Sequence, residues 1–121
     1  MLPRRHRLTR PREFTAVLRG GESTTRRRRA GTPLLVVHCA TTTDPTRGPR
    51  VGFVVSRAVG NSVVRHRVTR RLRHLVADRI GDLPPEADLV VRANAAAATA
   101  SSAQLGHALD QALERACQVA R

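Results

Sequence analysis

The chain contains no tryptophan, tyrosine or lysine, and its only phenylalanines are Phe14 and Phe53. Stacking of nucleobases on a row of aromatic side chains is therefore excluded as a main source of affinity for any ligand. Phe53 alternates with Val51 and Val55 in a predicted strand, which places it in the core. Phe14 lies among arginines, and its surroundings leave both a core position and a ligand-facing position open.

Cysteines and long apolar runs are also scarce. Cys39 and Cys117 are far apart in the sequence, one in a predicted strand and one in a predicted helix, without the spacing of zinc ligands. We expect two buried thiols. The longest run of large apolar residues covers 34–37, too short to cross a bilayer, and no signal-type hydrophobic stretch follows the basic N-terminal residues. These absences predict a cytoplasmic protein.

Acidic residues are few, so the charge is strongly unbalanced. Nine acids oppose 22 basic residues, all arginine, for a net charge of +13. Residues 1–77 hold 18 arginines against three acids (+15), whereas 78–121 hold four against six (−2). The first part is therefore predicted to bind a polyanion, most simply nucleic acid, and the last third to serve as scaffold. The length predicts one domain spanning 1–121.

The residues of a protein catalyst are missing from the pattern. Asp82, Glu86 and Asp88 surround a proline turn and are interpreted as solvated loop residues. His66 and His74 are eight residues apart on a basic face, so we expect them to contact phosphate or water and not to form a hydrolytic pair. Walker, dinucleotide and zinc motifs are absent. We predict no catalytic residue and no metal ligand in the protein.

Local patterns predict three helices and three strands. Helices are expected at 9–19, with Thr9 as its cap, from Asn61 or Ser62 to about 80, and from Ser101 or Ser102 onward. Strands are expected at 32–40, 51–56 and 88–93, with the helices on one side of the sheet in an α+β sandwich. The run Arg26–Arg29 is interpreted as a binding arm or a solvated loop.

The second helix carries the densest basic pattern. Residues 57–73 contain six arginines and no acid, following a Gly60-Asn61 turn. Apolar residues recur every three or four positions and define one helix face, with Arg65 at its border. Guanidinium groups bind phosphate oxygens in a planar fork, so the opposite face is predicted to bind nucleic acid.

Residues 50–73, RVGFVVSRAVGNSVVRHRVTRRLR, resemble the signature of the bacterial ribonuclease P protein subunit. The opening LPRRHRL, followed by Glu13-Phe14, Val17 and Gly20, resembles the N-terminus of that family. The resemblance implies an α-β-β-β-α-β-α sandwich related to ribosomal protein folds, with one more strand than the pattern reveals. It also implies a left-handed β-α-β crossover, against the usual right-handed preference.

The resemblance further implies a function. In this family a catalytic RNA, using Mg²⁺ bound mainly by the RNA, removes the 5′ leader of precursor tRNA, and the protein assists. The catalytic RNA would contact the turn and helix at Arg57, Asn61, Arg65, His66, Arg67, Arg70, Arg71 and Arg73. A cleft between the first helix and the sheet would bind the leader through Phe14 and Leu18.

Two positions depart from the family pattern. His66 stands where asparagine is usual, and Leu18 stands where an aromatic residue is frequent, so an amide contact and a stacking contact are in question. A small basic ribosomal protein is the main alternative. A DNA-binding regulator is disfavoured because no helix-turn-helix pair is visible, and a self-sufficient nuclease because metal ligands are missing.

Overall fold

A computed structural model describes residues 2–20, 24–42 and 48–117. The described helices and strands are α1 (Pro11–Arg19), β1 (Thr24–Gly31), β2 (Leu35–Thr42), β3 (Arg50–Val54), α2 (Ser62–Ala77), β4 (Ala87–Ala93) and α3 (Ser102–Cys117). Their order, α-β-β-β-α-β-α, confirms the fold implied by the resemblance.

The four strands form one mixed sheet in the order β1-β2-β4-β3. β2 pairs antiparallel with both β1 and β4, whereas β3 pairs parallel with β4. A parallel pair needs a long connection, and α2 supplies it between β3 and β4. The left-handed course of this β-α-β connection stays a prediction.

The strand that the pattern did not reveal is β1. The interpretation of Arg26–Arg29 as an arm or a loop was wrong, because this run pairs along β2, with Arg28 opposite Cys39. β1 lies at the edge of the sheet. Charged side chains are common on edge strands, where they disfavour pairing with other chains. The arginine-rich composition therefore gave no sign of β1, because this strand is formed by its pairing with β2.

Helices pack on both faces of the sheet. The prediction that all helices lie on one side was therefore wrong. One face presents Leu35, Val37, Leu89 and Val91, which belong to the main core together with buried residues of α2 and α3. On the other face Ala40 and Val90 pack in a smaller cluster with Val17 of α1. The cause is that alternate residues of β2 and β4 are apolar on both faces.

The helix ends follow local hydrogen bonding. Asn61 caps α2, because its Oδ1 accepts from the Val64 amide at 3.0 Å. At Gly60 φ is +155°, and an added Cβ would come within 2.9 Å of the Val64 side chain. Ser101 caps α3, as its Oγ accepts from the Gln104 amide at 3.1 Å. None of the helices in the described part of the chain has the length and hydropathy needed to span a bilayer.

Candidate nucleic-acid interface

The exposed face of α2 and the turn before it form a basic surface, the α2 ridge. Its opposite face is fixed by Val68, Leu72 and Val76, which are 0 to 3% exposed. Burial of each of these side chains contributes about 1.5–3 kcal/mol, so the ridge is held on a rigid helix. The exposed side chains of the ridge are Arg57, Asn61, His66, Arg67, Arg70 and Arg73.

Two of the arginines predicted to bind RNA are half-buried and not exposed. Arg71 is half-buried, and its Nη1 donates to the Ala100 carbonyl at 3.2 Å, which ties α2 to the segment before α3. Arg65 is also half-buried, as its position at the border of the apolar stripe predicted, and its buried Nε has no hydrogen-bond partner within the described residues. Both side chains are therefore partly committed to the protein surface.

No carboxylate among the described residues forms an ion pair with the α2 ridge. Within residues 2–20, 24–42 and 48–117, ion pairs with carboxylates involve Arg50 and Arg79 and none of the arginines of α2. Arg79, beyond the end of α2, donates through Nε to Asp110 of α3 at 2.6 Å. The charge of the ridge is thus available to an external anion.

A second surface, the sheet groove, lies on the sheet face covered by α1. Its apolar wall is Phe14 and Leu18, both half-buried and packed with Val54 against the smaller cluster. The Phe14 ring lies directly over Gly52, where an added Cβ would meet ring atoms at 2.4 Å. The sequence therefore needs glycine at position 52 for the ring to approach the sheet. Phe14 and Leu18 pack against the same cluster, and their place in a leader-binding cleft stays a prediction.

The basic part of the sheet groove is a pocket of about 320 Å³ on the same sheet face, lined by Arg29, His38 and Arg92 among others. Arg29 pairs with His38 across β1 and β2, and Arg92 pairs with Val36 across β4 and β2. Burial, followed by the charges of Arg92 and Arg29, lowers the pKa of His38. A half-buried, predominantly neutral imidazole thus lies between two cations.

His38 and Arg92 carry no local sequence pattern that marks them as site residues. Alternation offered a signal, because Val37 and Cys39 face the main core and His38 must then face the other way. Three different strands, including the unpredicted β1, contribute side chains to the groove. No short stretch of the sequence shows that these strands lie side by side.

A charge cluster at the edge of the sheet groove joins α1 to β3 and β4. Arg50 donates through Nε and Nη2 to the two carboxylate oxygens of Asp88, at 3.1 and 2.9 Å. Its Nη1 donates to Glu13 of α1 at 2.5 Å. The interpretation of Asp88 as a solvated loop residue was wrong, since this residue is 4% exposed within β4. Burial is tolerated because the guanidinium satisfies the carboxylate in a bidentate pair.

Glu13 also begins α1. Its Oε1 accepts from the backbone amides of Arg10 and Thr9, at 2.8 and 3.0 Å. The prediction of Thr9 as the cap was wrong, because the helix starts at Pro11 and Glu13 takes the capping role. Burial alone would raise the pKa of Glu13, but the two amides and Arg50 outweigh it and hold that pKa below its ordinary value. One carboxylate thus both starts α1 and fastens it to the sheet.

The donor set does not suit a metal ion held by the protein alone. Among the residues that the structure describes, no group of three or more His, Cys, Asp or Glu side chains lies together. The carboxylates nearest the sheet groove, Glu13 and Asp88, are already engaged with Arg50. The arginines of both surfaces suit an anionic ligand.

A family model described as Ribonuclease P matches residues 2–117. The ribonuclease P protein component of Streptomyces griseus is 51% identical over 122 residues, covering 95% of this chain and 94% of the relative. That of Mycobacterium sp. (strain KMS) is 48% identical over 116 residues, covering 96% of this chain and 93% of the relative.

Solved structures show the same fold at lower sequence identity. The RNase P protein of Staphylococcus aureus superposes with a TM-score of 0.75 at 20% identity, covering 90% of this chain and 93% of that one. The RNase P protein of Thermotoga maritima, in complex with 1-(4-fluorophenyl)-2-thiourea, gives a TM-score of 0.74 at 20% identity, covering 89% and 97%.

Proposed function

The chain belongs to the ribonuclease P protein family, and we propose that it is the RNA-binding subunit of the ribonucleoprotein that removes the 5′ leader of precursor tRNA. The observation that carries this proposal is the α2 ridge, a row of exposed arginines without a paired carboxylate among the described residues. A ribosomal protein is not favoured, because the relatives are ribonuclease P protein components.

The α2 ridge is the proposed site for the catalytic RNA. Each guanidinium that replaces condensed counterions on a phosphate adds affinity that falls with salt, by a log-log slope of about −0.7 to −0.9 per contact. We assign the direct contacts to the exposed residues Arg67, Arg70 and Arg73, with Asn61 and Arg57 at the turn. Arg65 and Arg71 contribute through their charge while also fixing α2 to the protein.

The sheet groove is the proposed site for the leader. It combines an apolar wall at Phe14 with cations at Arg29 and Arg92, which suits a single strand that presents bases on one side and phosphates on the other. Leu18 extends the wall by one helical turn, without an aromatic face. The groove is thus proposed to distinguish precursor from mature tRNA, since only the precursor carries a leader.

The proposed mechanism is electrostatic assistance. The protein supplies no nucleophile; its two cationic surfaces reduce the repulsion between the catalytic RNA and the precursor. Mg²⁺ supplies the metal chemistry, and we propose that the RNA binds it, because the described protein residues do not present a matching set of ligands. His66, in place of the usual asparagine, adds a ring nitrogen to the ridge.

Reconstitution tests the proposal. The protein is mixed with the organism's catalytic RNA at a low Mg²⁺ concentration, where the RNA alone is inefficient, and release of the 5′ leader from precursor tRNA is measured. We expect processing only when the protein and the catalytic RNA are both present. Cleavage by the protein alone would contradict the assignment, as would an RNA reaction that the protein does not accelerate.

A further inference from the structure

Cys39 and Cys117, distant in the sequence, are neighbours in the fold. They line the same surface pocket of about 420 Å³, between β1, β2 and the last turn of α3. Both are free thiols; Cys39 is buried and Cys117 is half-buried. Both side chains pack in the main core, close enough for each thiol to shift the pKa of the other.

The main core enforces this contact. Leu35, Val37 and Cys39 alternate along β2 toward the sheet face that α3 covers. The buried stripe of α3 runs through Leu113 and Ala116, and Cys117 continues it at the end of the helix. The pairing of the thiols therefore follows from the packing of α3 on β2 and does not require a special loop.

We propose that Cys39 and Cys117 form a redox-active pair that closes into an intrachain disulfide when the protein meets a peroxide. One sulfur attacks a peroxide oxygen, the O–O bond breaks, and a sulfenic acid and one water are formed. The second sulfur then displaces the sulfenic oxygen as a second water. Two thiols and one hydrogen peroxide thus give one disulfide and two waters: the sulfurs lose two electrons and the peroxide gains them.

The two thiols shift each other's pKa. Cys117 lowers the pKa of Cys39, against the opposing effects of burial and the charges of Asp88 and Glu86. Cys39, followed by burial, raises the pKa of Cys117. The disulfide forms in the same way whichever sulfur attacks the peroxide first, because the other sulfur then closes it. The pocket that both residues line gives the peroxide a path to them.

The disulfide would fasten the end of α3 to β2 without altering the RNA-binding surfaces. The described residues that line this pocket include none from the α2 ridge, nor Phe14, His38 or Arg92 of the sheet groove. Closing a long loop restricts the unfolded chain, so oxidation should stabilise the fold. Redox-active pairs of this kind are typical of proteins in reducing compartments, where permanent disulfides are rare.

The test uses the full chain, treated with hydrogen peroxide at low protein concentration and then unfolded in the presence of iodoacetamide. Mass spectrometry should find a loss of two hydrogens and no alkylated cysteine, and dithiothreitol should restore two alkylation sites. The oxidised protein should melt at least about 5 °C higher than the reduced form, with unchanged affinity for the catalytic RNA.

Two variants serve as controls. Cys117→Ser removes one sulfur of the pair at a half-buried position and should take up oxygen or stay reduced, without the rise in Tm; Cys39→Ala tests the buried partner in the same way. The proposal is overturned if both wild-type cysteines are still alkylated after peroxide treatment. Added oxygen in place of lost hydrogen, or a disulfide between two chains, would overturn it equally.

Discussion

The arginines of the α2 ridge extend into solvent from a single helix, whereas the basic side chains of the sheet groove come from β1, β2 and β4 and lie on the face that α1 covers. On the ridge, a contact depends on charge and helical spacing. In the groove, Arg29, His38 and Arg92 are positioned by strand register, and Phe14 by its contact with Gly52.

This difference separates two kinds of recognition. A helix of unpaired arginines binds phosphates with little demand on sequence, so its affinity should follow salt concentration closely. A groove with one apolar side and one cationic side also selects the shape and strandedness of its ligand. We therefore expect ridge variants to change affinity for the catalytic RNA and groove variants to change the preference for the leader.

Removal of Arg50 should have the largest effect, and its effect on RNA binding should be confined to the groove. Arg50→Met leaves Asp88 and Glu13 without the guanidinium that binds both, and breaking a buried pair in this way costs about 3 kcal/mol. Urea unfolding should show that loss of stability. Because α1 loses its ion pair with the sheet, affinity for leader-bearing precursor should fall more than affinity for mature tRNA.

Arg79→Met is the matched control, because it breaks a similarly half-buried pair with Asp110 on the scaffold side. It should also reduce stability while leaving the ratio of precursor to mature tRNA affinity unchanged. If both variants lower that ratio equally, the Arg50 cluster has no special part in positioning α1.

The second effect in size should come from the ridge. Arg67→Ala combined with Arg70→Ala removes two exposed guanidinium groups, and we expect affinity for the catalytic RNA to fall about 10- to 100-fold. Salt titration should give a log-log slope shallower by about two. Circular dichroism should show an intact fold, because neither side chain is buried.

Arg115→Ala is the control for this experiment, because it removes an exposed arginine from α3, away from both surfaces. It should change the affinity for the catalytic RNA little. Equal losses from α2 and α3 would mean that net charge alone, and not the ridge, determines binding.

The ridge could be predicted from the sequence because all its determinants lie within one helix. The spacing of Val64, Val68 and Leu72 sets the buried face, and the arginines then occupy the remaining face by geometry. The same spacing placed Arg65 at the border, where the structure finds it half-buried. The spacing could not predict the hydrogen bond from Arg71 to the Ala100 carbonyl, because Ala100 lies 29 residues later in the chain.

The groove could be predicted only in part, because its determinants are distant in the sequence. The resemblance pointed to Phe14 and Leu18, but Arg29 reaches the groove only through the pairing of β1 with β2, and a run of arginines carries no strand pattern. Asp88 was misjudged for the same reason: its partner Arg50 is 38 residues away. Strand register and contacts between distant residues form the groove and the Arg50–Asp88 pair. The local secondary-structure propensity of the sequence does not predict them.

A smaller effect is expected for the apolar wall of the groove. Phe14→Ala removes the ring over Gly52, and loss of a contact between a base and an aromatic ring costs about 1–3 kcal/mol. Affinity for leader-bearing precursor should fall about 5- to 100-fold, with little change for mature tRNA. Phe14→Leu keeps the wall apolar but removes the aromatic ring. This variant therefore separates the stacking of a base on the ring from the packing of the side chain on the sheet. Equal losses for precursor and mature tRNA would remove Phe14 from the leader site.

The smallest effect should be a pH dependence confined to the groove. Burial, Arg92 and Arg29 lower the pKa of His38, so its imidazole is predominantly neutral at pH 7 in the free protein. A leader phosphate in the groove favours the charged imidazole and raises that pKa. The complex then binds more protons than the free protein, and affinity for the leader must rise as pH falls, until the free imidazole is itself charged.

His38→Gln keeps a hydrogen-bonding side chain but cannot titrate, so the difference between wild type and variant isolates the contribution of His38. Fluorescence titration with a short leader-bearing precursor at several pH values should show a rise of a few fold toward low pH in the wild type, below the tenfold that one pKa unit allows. The variant should show less. If both proteins respond to pH alike, His38 does not cause the change, and the groove binds the leader through its arginines and Phe14 alone.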